Sequence, residues 1–207
     1  MTEDGNPLIS PVEVVEAALD GQTDPVPEGY SANALVHAST GQSATCGQLL
    51  SVFDPINVLG VAIQHDPSHY LRICEEWSTL DPSRLAVVDV NPSGRDPPAE
   101  IRIETVPDAE DLTGIGIAVT QLVKQAAQSD VPTVVCFDSL TPLLQYSDIE
   151  RCYRFLDTTT NRLNKVCAVS HAHIDPAAHD DQTLQQIATV FDATVRRDDE
   201  EWQVSPS

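Results

Sequence analysis

Positively charged residues are scarce in this sequence. It holds 11 lysines and arginines against 32 aspartates and glutamates in 207 residues. Only Lys124 and Lys165 are lysines, and Arg196 with Arg197 is the only adjacent pair of cations. Binding to a phosphate backbone normally requires a basic stripe. We therefore expect no direct nucleic-acid binding.

Aromatic residues, long apolar runs and paired cysteines are also in short supply. Aromatics make up 5% of the chain, which argues against a base-stacking platform. Apolar runs such as residues 58–63 are far shorter than the ~20 residues of a membrane span, and the acidic start is unlike a secretory signal. We therefore expect a cytoplasmic protein without membrane insertion. The five cysteines form no C-x-x-C pair and are predicted to be reduced, buried thiols, not a disulfide frame or zinc site; they stand at positions 46, 74, 136, 152 and 167.

Aspartate and glutamate, in contrast, are abundant in this sequence. The formal net charge is -21, and the acidic residues are spread along the whole chain instead of forming one tail. Such a surface repels itself in dilute buffer, whereas at ~1 M salt the Debye length falls to about 3 Å and the repulsion is screened. We therefore expect a haloarchaeal protein whose folding requires high salt.

Short apolar runs alternate with helical spacing along the chain. Strands are predicted at 34–38, 58–63, 85–90, 131–137 and 166–170, followed by a hairpin of 193–196 with 201–204. Helices are predicted at 11–19, from Asp111, after a capping box of Ser147 and Glu150, and at 182–191, whereas the proline-rich residues 91–100 are expected to form a loop. The pattern predicts an α/β fold, a mainly parallel sheet with helices on both faces. We expect a short N-terminal extension, 1–31, and one core domain, 32–207.

A degenerate phosphate loop follows the first predicted strand. A working loop has the pattern G-x-x-x-x-G-K-[ST], in which backbone N–H groups wrap the phosphates, the lysine neutralises charge and the hydroxyl holds magnesium. Residues 38–45 read A-S-T-G-Q-S-A-T, so Ala38 and Ser43 replace the two glycines and Ala44 replaces the lysine. Only Thr45 and the interior Gly41 remain.

The second element of such a site is an apolar strand that ends in an acid, here V-V-C-F-D over residues 134–138. Together with S-H-A-H-I-D-P over 170–176, this stretch resembles the KaiC and RadA branch of RecA-like ATPases, from about Ala32 to the C-terminus. The resemblance implies a three-layer RecA-like fold, within a haloarchaeal group of KaiC-like domains with degenerate loops. In active relatives a glutamate pair that ends the second strand activates water. Gln64 and His65 stand there in this chain, with Asp66 as the neighbouring carboxylate.

The two defining glycines, the lysine and the water-activating glutamates of the active pattern are therefore all absent from this chain. We predict a non-catalytic regulatory or scaffolding protein, a pseudo-ATPase with no catalytic residues. Gly41, Ser43, Thr45 and Asp138 form its remnant nucleotide site, to which ATP with magnesium binds weakly if at all. No cofactor is expected. The resemblance implies self-association or pairing with a protein partner. The alternatives are nucleotide binding without turnover and a slow NTP hydrolase that uses Thr45 and Asp138.

A rival constellation is the pair His171 and His173, which a metal-dependent hydrolase could use. Imidazoles and carboxylates near strand ends can hold zinc, and Asp175, His179 and Asp180 follow closely. The simpler interpretation places both histidines in the loop after the strand, with Asp175 as a helix cap. The other histidines, at positions 37, 65 and 69, are predicted to be ordinary surface or loop residues.

Overall fold

An eight-stranded sheet forms the centre of the computed structural model, which describes residues 13, 15–16, 30–38, 46–47, 49, 56–76, 81–92, 101–198 and 201–207. The strands are β1 (Ala32–His37), β2 (Asn57–Ala62), β3 (Leu85–Val90), β4 (Arg102–Val106), β5 (Thr133–Phe137), β6 (Val169–Ile174), β7 (Ala193–Asp198) and β8 (Glu201–Pro206). Their order across the sheet is β4-β3-β2-β5-β6-β1-β7-β8. The first seven strands are parallel, and β8 pairs with β7 as the predicted antiparallel hairpin.

Helices cover both faces of the sheet. They are α1 (Pro67–Glu76), α2 (Leu112–Ala126), α3 (Thr141–Tyr146), α4 (Ile149–Asn164) and α5 (Asp181–Ala188), with 3-10 turns at Pro82–Arg84 and Pro176–Ala178. Because neighbouring side chains on a strand point to opposite faces, Val135 packs in the core with α2 and α4, while Val134 packs on the other face with α1. The predicted parallel sheet with helices on both faces is therefore confirmed.

Strand β6 differs most from its prediction, which placed it at 166–170. The N–H groups of Val166 and Ala168 bond to the Leu163 carbonyl, and that of Cys167 bonds to Asn164, so these residues finish α4. Cys167 has a φ of 54°, the left-handed conformation that often ends a helix. The strand consequently begins three residues later than predicted and contains both His171 and His173.

Two further differences concern β4 and the start of α4. No sequence pattern indicated β4, because charged Arg102 and Glu104 interrupt its apolar residues and only Val106 is buried. The cap of α4 is Asp148, not Ser147: its Oδ1 accepts the N–H of Arg151 at 2.8 Å. Both capping residues precede the same helix, so the predicted start was wrong by one position.

The predicted N-terminal helix is described only at Glu13, Val15 and Glu16, which have helical backbone. Val15 is buried in a small cluster with Val36 and Val195. The rest of 11–19 lies outside the described residues, and the proposed boundary at residue 31 stays a prediction. Among the helices that the structure describes, none combines the length and apolar character needed to cross a bilayer.

Candidate functional site

The described polar residues that were predicted to carry function lie at or near the carboxyl ends of the parallel strands β2, β5 and β6. In open α/β sheets, ligands bind outside this carboxyl edge. Ala38 follows β1 and donates its N–H to the Ile174 carbonyl at 3.0 Å. Cys46 has helical backbone. Gly41, Ser43, Ala44 and Thr45 of the degenerate loop lie outside the described residues.

Asp138 follows β5 and is held by the loop after β2. Its Oδ1 accepts the backbone N–H groups of Ile63 at 2.8 Å and Gln64 at 3.0 Å. Its Oδ2 accepts the N–H of His65 at 2.8 Å and lies 3.3 Å from Nδ1 of the same histidine. We call this arrangement the Asp138 cradle. A carboxylate offers about four acceptor positions, and all four are used within the protein.

Two stacked imidazoles extend from the Asp138 cradle. The rings of His65 and His69 lie 4.2 Å apart and 12° from parallel, and His69 meets the edge of Tyr70. The hydrogen bond to Asp138 raises the pKa of His65, while burial and the neighbouring His65 lower the pKa of His69 to about 4. His65 is in a loop as predicted, but its contact with Asp138 was not foreseen.

His171 and His173 belong to a buried group of four metal-binding side chains. Cys46, Cys136, His171 and His173 each offer one ligand atom, and these four atoms lie within 4.8 Å of one another. Cys46 Sγ lies 3.0 Å from Cys136 Sγ and 3.3 Å from His171 Nε2. We call these residues the Cys/His cluster. Burial and the hydrogen bond with Cys46 raise the pKa of the Cys136 thiol to about 12.

The prediction that both histidines lie in a loop is therefore wrong, and the cysteines carry more information than expected. The exposed fractions of His171 and His173 are 2% and 8%. The simpler interpretation is confirmed only for Asp175, which caps the turn Pro176–Ala178 by accepting the Ala177 N–H at 3.0 Å. Asp180 likewise caps α5. The one usable signal in the sequence was the H-x-H spacing, since residues two apart share a face of a strand.

The fold matches solved archaeal structures at low sequence identity. The uncharacterised protein PH0321 from Pyrococcus horikoshii, solved with an unknown peptide, is 15% identical with a TM-score of 0.60, covering 91% of this chain and 84% of PH0321. PH0250 from P. horikoshii OT3 is 10% identical with a TM-score of 0.58, covering 86% of this chain and 87% of PH0250. The fold is therefore the three-layer RecA-like arrangement.

Comparison with curated protein sequences gives no match. A family profile, in contrast, matches residues 31–197, which cover most of the chain and include the Asp138 cradle and the Cys/His cluster. That match spans β1 to β6 and all but the last residue of β7. The chain belongs to DUF7504, a family of unknown function.

Proposed function

We propose that this protein is a non-catalytic regulatory or scaffolding protein, a pseudo-ATPase built on a RecA-like frame. The observation that carries the proposal is the Asp138 cradle. In it, three backbone N–H groups and one imidazole use all the hydrogen-bond acceptor positions of the Asp138 carboxylate. A magnesium-bound water would have to donate to that carboxylate in a working site. Asp138 has no acceptor position left for it, so it stabilises the loop after β2 instead.

The residues beside Asp138 support the same conclusion. Gln64 and His65 stand where the resemblance implies water-activating glutamates. The nearby carboxylate of Asp66 accepts the N–H of Ser68 at 2.9 Å, at the start of α1. The lysine position holds Ala44, and loss of a preorganised cation costs several kcal/mol in a transition state, at least about a hundredfold in rate. A slow hydrolase that uses Thr45 and Asp138 is therefore not favoured.

Nucleotide titration tests this proposal. We expect no saturable binding of ATP or GTP at physiological concentration, with or without magnesium, when the protein is titrated calorimetrically in molar KCl. The triple variant Ala38→Gly, Ser43→Gly, Ala44→Lys should gain magnesium-dependent ATP binding without phosphate release, because a helix N-terminus that follows a strand attracts anions. Tight ATP binding by the unmodified chain, or ATP turnover lost in Asp138→Ala, would overturn the pseudo-ATPase assignment.

For the partner, we propose an acidic segment of another protein, bound between α2 and α4. A groove of about 380 Å³ runs between these helices, and its lining includes Lys124, Arg162 and Lys165. The adjoining groove adds Arg151 and Arg154. Among the residues that the structure describes, neither lining contains a carboxylate. Five of the chain's 11 cations thus gather on one face of a protein with a net charge of -21.

The same face offers an apolar contact. Ile117 lines both grooves and is 50% exposed, one of two large apolar side chains that stand out in the described structure. The lining cations make no ion pair with a carboxylate among the described residues. Charge complementarity therefore favours a segment with acidic residues around an apolar one. PH0321 holds an unknown peptide on the same fold, which makes a peptide a reasonable ligand class to test.

Peptide binding by fluorescence anisotropy tests the groove. A labelled glutamate-rich peptide with a central leucine should bind, and Arg162→Glu should weaken it about tenfold. Arg84→Glu makes the same charge change outside both grooves and should leave binding unchanged. Equal loss in both variants would mean that net charge alone is responsible. Preference for a DNA oligonucleotide over the peptide would contradict the proposed partner class.

We also propose that the protein works in a concentrated-salt cytosol. The net charge of -21 is carried by one small core and requires screening. We expect the melting temperature to fall steeply between molar and millimolar KCl. A melting temperature that does not depend on KCl would contradict this assignment, and molar sucrose, which adds no ions, serves as the control.

A further inference from the structure

The Cys/His cluster draws its members from three separate parts of the chain. Cys136 lies on β5 directly opposite His171 on β6, and His173 lies two residues further along the same face. Cys46 belongs to the helical segment after β1, the strand on the other side of β6. The parallel register therefore brings two thiols and two imidazoles together, although up to 127 positions separate Cys46 from His173.

The cluster is buried but poorly satisfied by the protein. All four residues are at least nine-tenths buried. Nε2 of His173 is buried without a hydrogen-bond partner among the described residues. The two thiols contact each other and His171, which are weak hydrogen bonds. A buried polar group without a partner is costly, so this arrangement calls for a ligand that accepts electron pairs from all four atoms.

We propose that Cys46, Cys136, His171 and His173 bind one divalent transition metal ion, with zinc as the preferred metal. Two thiolates and two imidazoles form a set that zinc binds tetrahedrally. With Zn–S near 2.3 Å and Zn–N near 2.0 Å, the ligand atoms in a tetrahedron stand about 3.3–3.8 Å apart. The four atoms already lie within 4.8 Å of one another, so closing the site requires shifts on the order of 1 Å.

The outer contacts of the cluster suit a thiolate ligand. The Tyr70 hydroxyl lies 3.8 Å from Cys136 Sγ and donates to the Cys136 carbonyl at 3.1 Å. Groups around metal ligands orient them and tune their affinity. Tyr70 is 1% exposed and packs against β2, so it holds Cys136 in place from the same face as Cys46.

A site of this kind is structural and not hydrolytic. Four protein ligands fill the tetrahedron, whereas a catalytic zinc keeps one position open for water. The earlier alternative of a metal hydrolase that uses His171 and His173 is therefore not favoured. Binding converts two thiols to thiolates and releases two protons, while both imidazoles bind in the neutral form. The bound ion would fasten the helical segment at Cys46 to β5 and β6.

Cobalt titration of the reduced, chelator-treated protein in molar KCl tests the site. We expect one Co²⁺ per chain, the strong visible absorption of tetrahedral cobalt, a thiolate-to-cobalt charge-transfer band for two thiolates, and displacement of the cobalt by one equivalent of Zn²⁺. A pH indicator should report about two protons released per metal ion. Zinc at a hundredfold excess over Kd should raise Tm by roughly 5–10 °C.

Single substitutions assign the ligands. Cys136→Ser and His173→Gln should each weaken cobalt binding at least about a hundredfold and abolish the tetrahedral spectrum. Cys74→Ser is the matched control, because Cys74 is 3% exposed in the same core but lies outside the cluster. It should bind cobalt as the unmodified chain does.

Two results would overturn the proposal. The first is cobalt binding without the charge-transfer band, which would place the ion on surface carboxylates. The second is failure of the fully reduced chain to bind cobalt, which would mean that Cys46 and Cys136 serve as a thiol pair or form a disulfide. Both are measured on the unmodified chain, so they stand even if a variant fails to fold. Neither depends on ATP, so this test and the test of the pseudo-ATPase proposal can fail separately.

Discussion

Two buried polar sites lie side by side at the carboxyl edge of the sheet, and they differ in how the protein satisfies them. In the Asp138 cradle every acceptor position has a donor from the chain itself. In the Cys/His cluster the His173 Nε2 has no such partner within the described part of the chain, although Cys136 is only two residues from Asp138. A satisfied site stabilises the fold, whereas an unsatisfied one is suited to a ligand.

The largest effect should come from removing the cradle's acceptor. Asp138→Ala leaves three backbone N–H groups without their partner in a part-buried loop, and should lower the free energy of unfolding by about 3–5 kcal/mol. Urea unfolding in molar KCl measures it. Asp108→Ala is the control, since Asp108 accepts one exposed N–H, from Glu110, and should cost less than about 1 kcal/mol. If both substitutions lowered the free energy of unfolding equally, the distinction between the satisfied Asp138 cradle and the unsatisfied Cys/His cluster would be lost.

A smaller effect should come from disturbing Tyr70, whose hydroxyl lies between the two sites. It donates to the Val61 carbonyl on the cradle side and to the Cys136 carbonyl on the cluster side. A Cβ at Gly60 would stand 2.7 Å from atoms of the Tyr70 ring. Gly60→Ala should therefore destabilise the protein by about 1–3 kcal/mol through overpacking and weaken cobalt binding.

Gly116→Ala is the matched control for that substitution. Its Cβ would meet Phe155 at 3.6 Å, an ordinary contact, and alanine is favoured over glycine in a helix by up to about 1 kcal/mol. It should leave stability unchanged or slightly raised in urea unfolding. A Gly60→Ala variant as stable as Gly116→Ala would show that Tyr70 can move without affecting either site.

The smallest effect concerns pH. The pKa of His69 is lowered to about 4, so the unfolded chain takes up a proton first as pH falls below about 6.5. The stability that this lowered pKa contributes is present above pH 6.5 and is lost as the pH falls toward 4. Allowing for the partial exposure of His69, the loss is about 1–2 kcal/mol.

Substitution separates the two stacked histidines. His69→Gln should flatten the fall in stability between pH 6.5 and 4, as measured by urea unfolding. The pKa of His65 is raised, so its contribution is present below pH 6.5 and is lost as pH rises through the raised value. His65→Gln should therefore cost stability on the acid side. If both substitutions changed the pH dependence of the free energy of unfolding in the same direction, that result would contradict the opposite pKa shifts of His65 and His69.

Much of the fold could be predicted because its strands are apolar and separated by helices with clear spacing. The predicted bounds of β3 and the pairing of β7 with β8 agree with the structure. The prediction failed at β6, where His171 and His173 are polar yet buried and were therefore assigned to a loop. It also missed β4, where the charged residues Arg102 and Glu104 interrupt the apolar pattern of the strand.

The Asp138 cradle could be predicted only in part. Strand-then-aspartate identified Asp138, but its donors are backbone N–H groups, which every sequence has and no residue type reveals. The Cys/His cluster depends on strand order, since Cys46 meets His171 only because β6 lies between β1 and β5. H-x-H spacing selected two of the four members, and nothing local links them to the cysteines.

The outer strands of the described sheet affect how copies of the protein can meet. An unprotected edge can pair with another chain and begin aggregation. At β4, Arg102 and Glu104 place opposite charges 3.2 Å apart on the edge strand, and Arg102 also donates to Gln125. At the other end, β8 finishes with Pro206, which has no N–H to offer. Extension of the sheet from one copy to the next into fibres is therefore disfavoured at both ends.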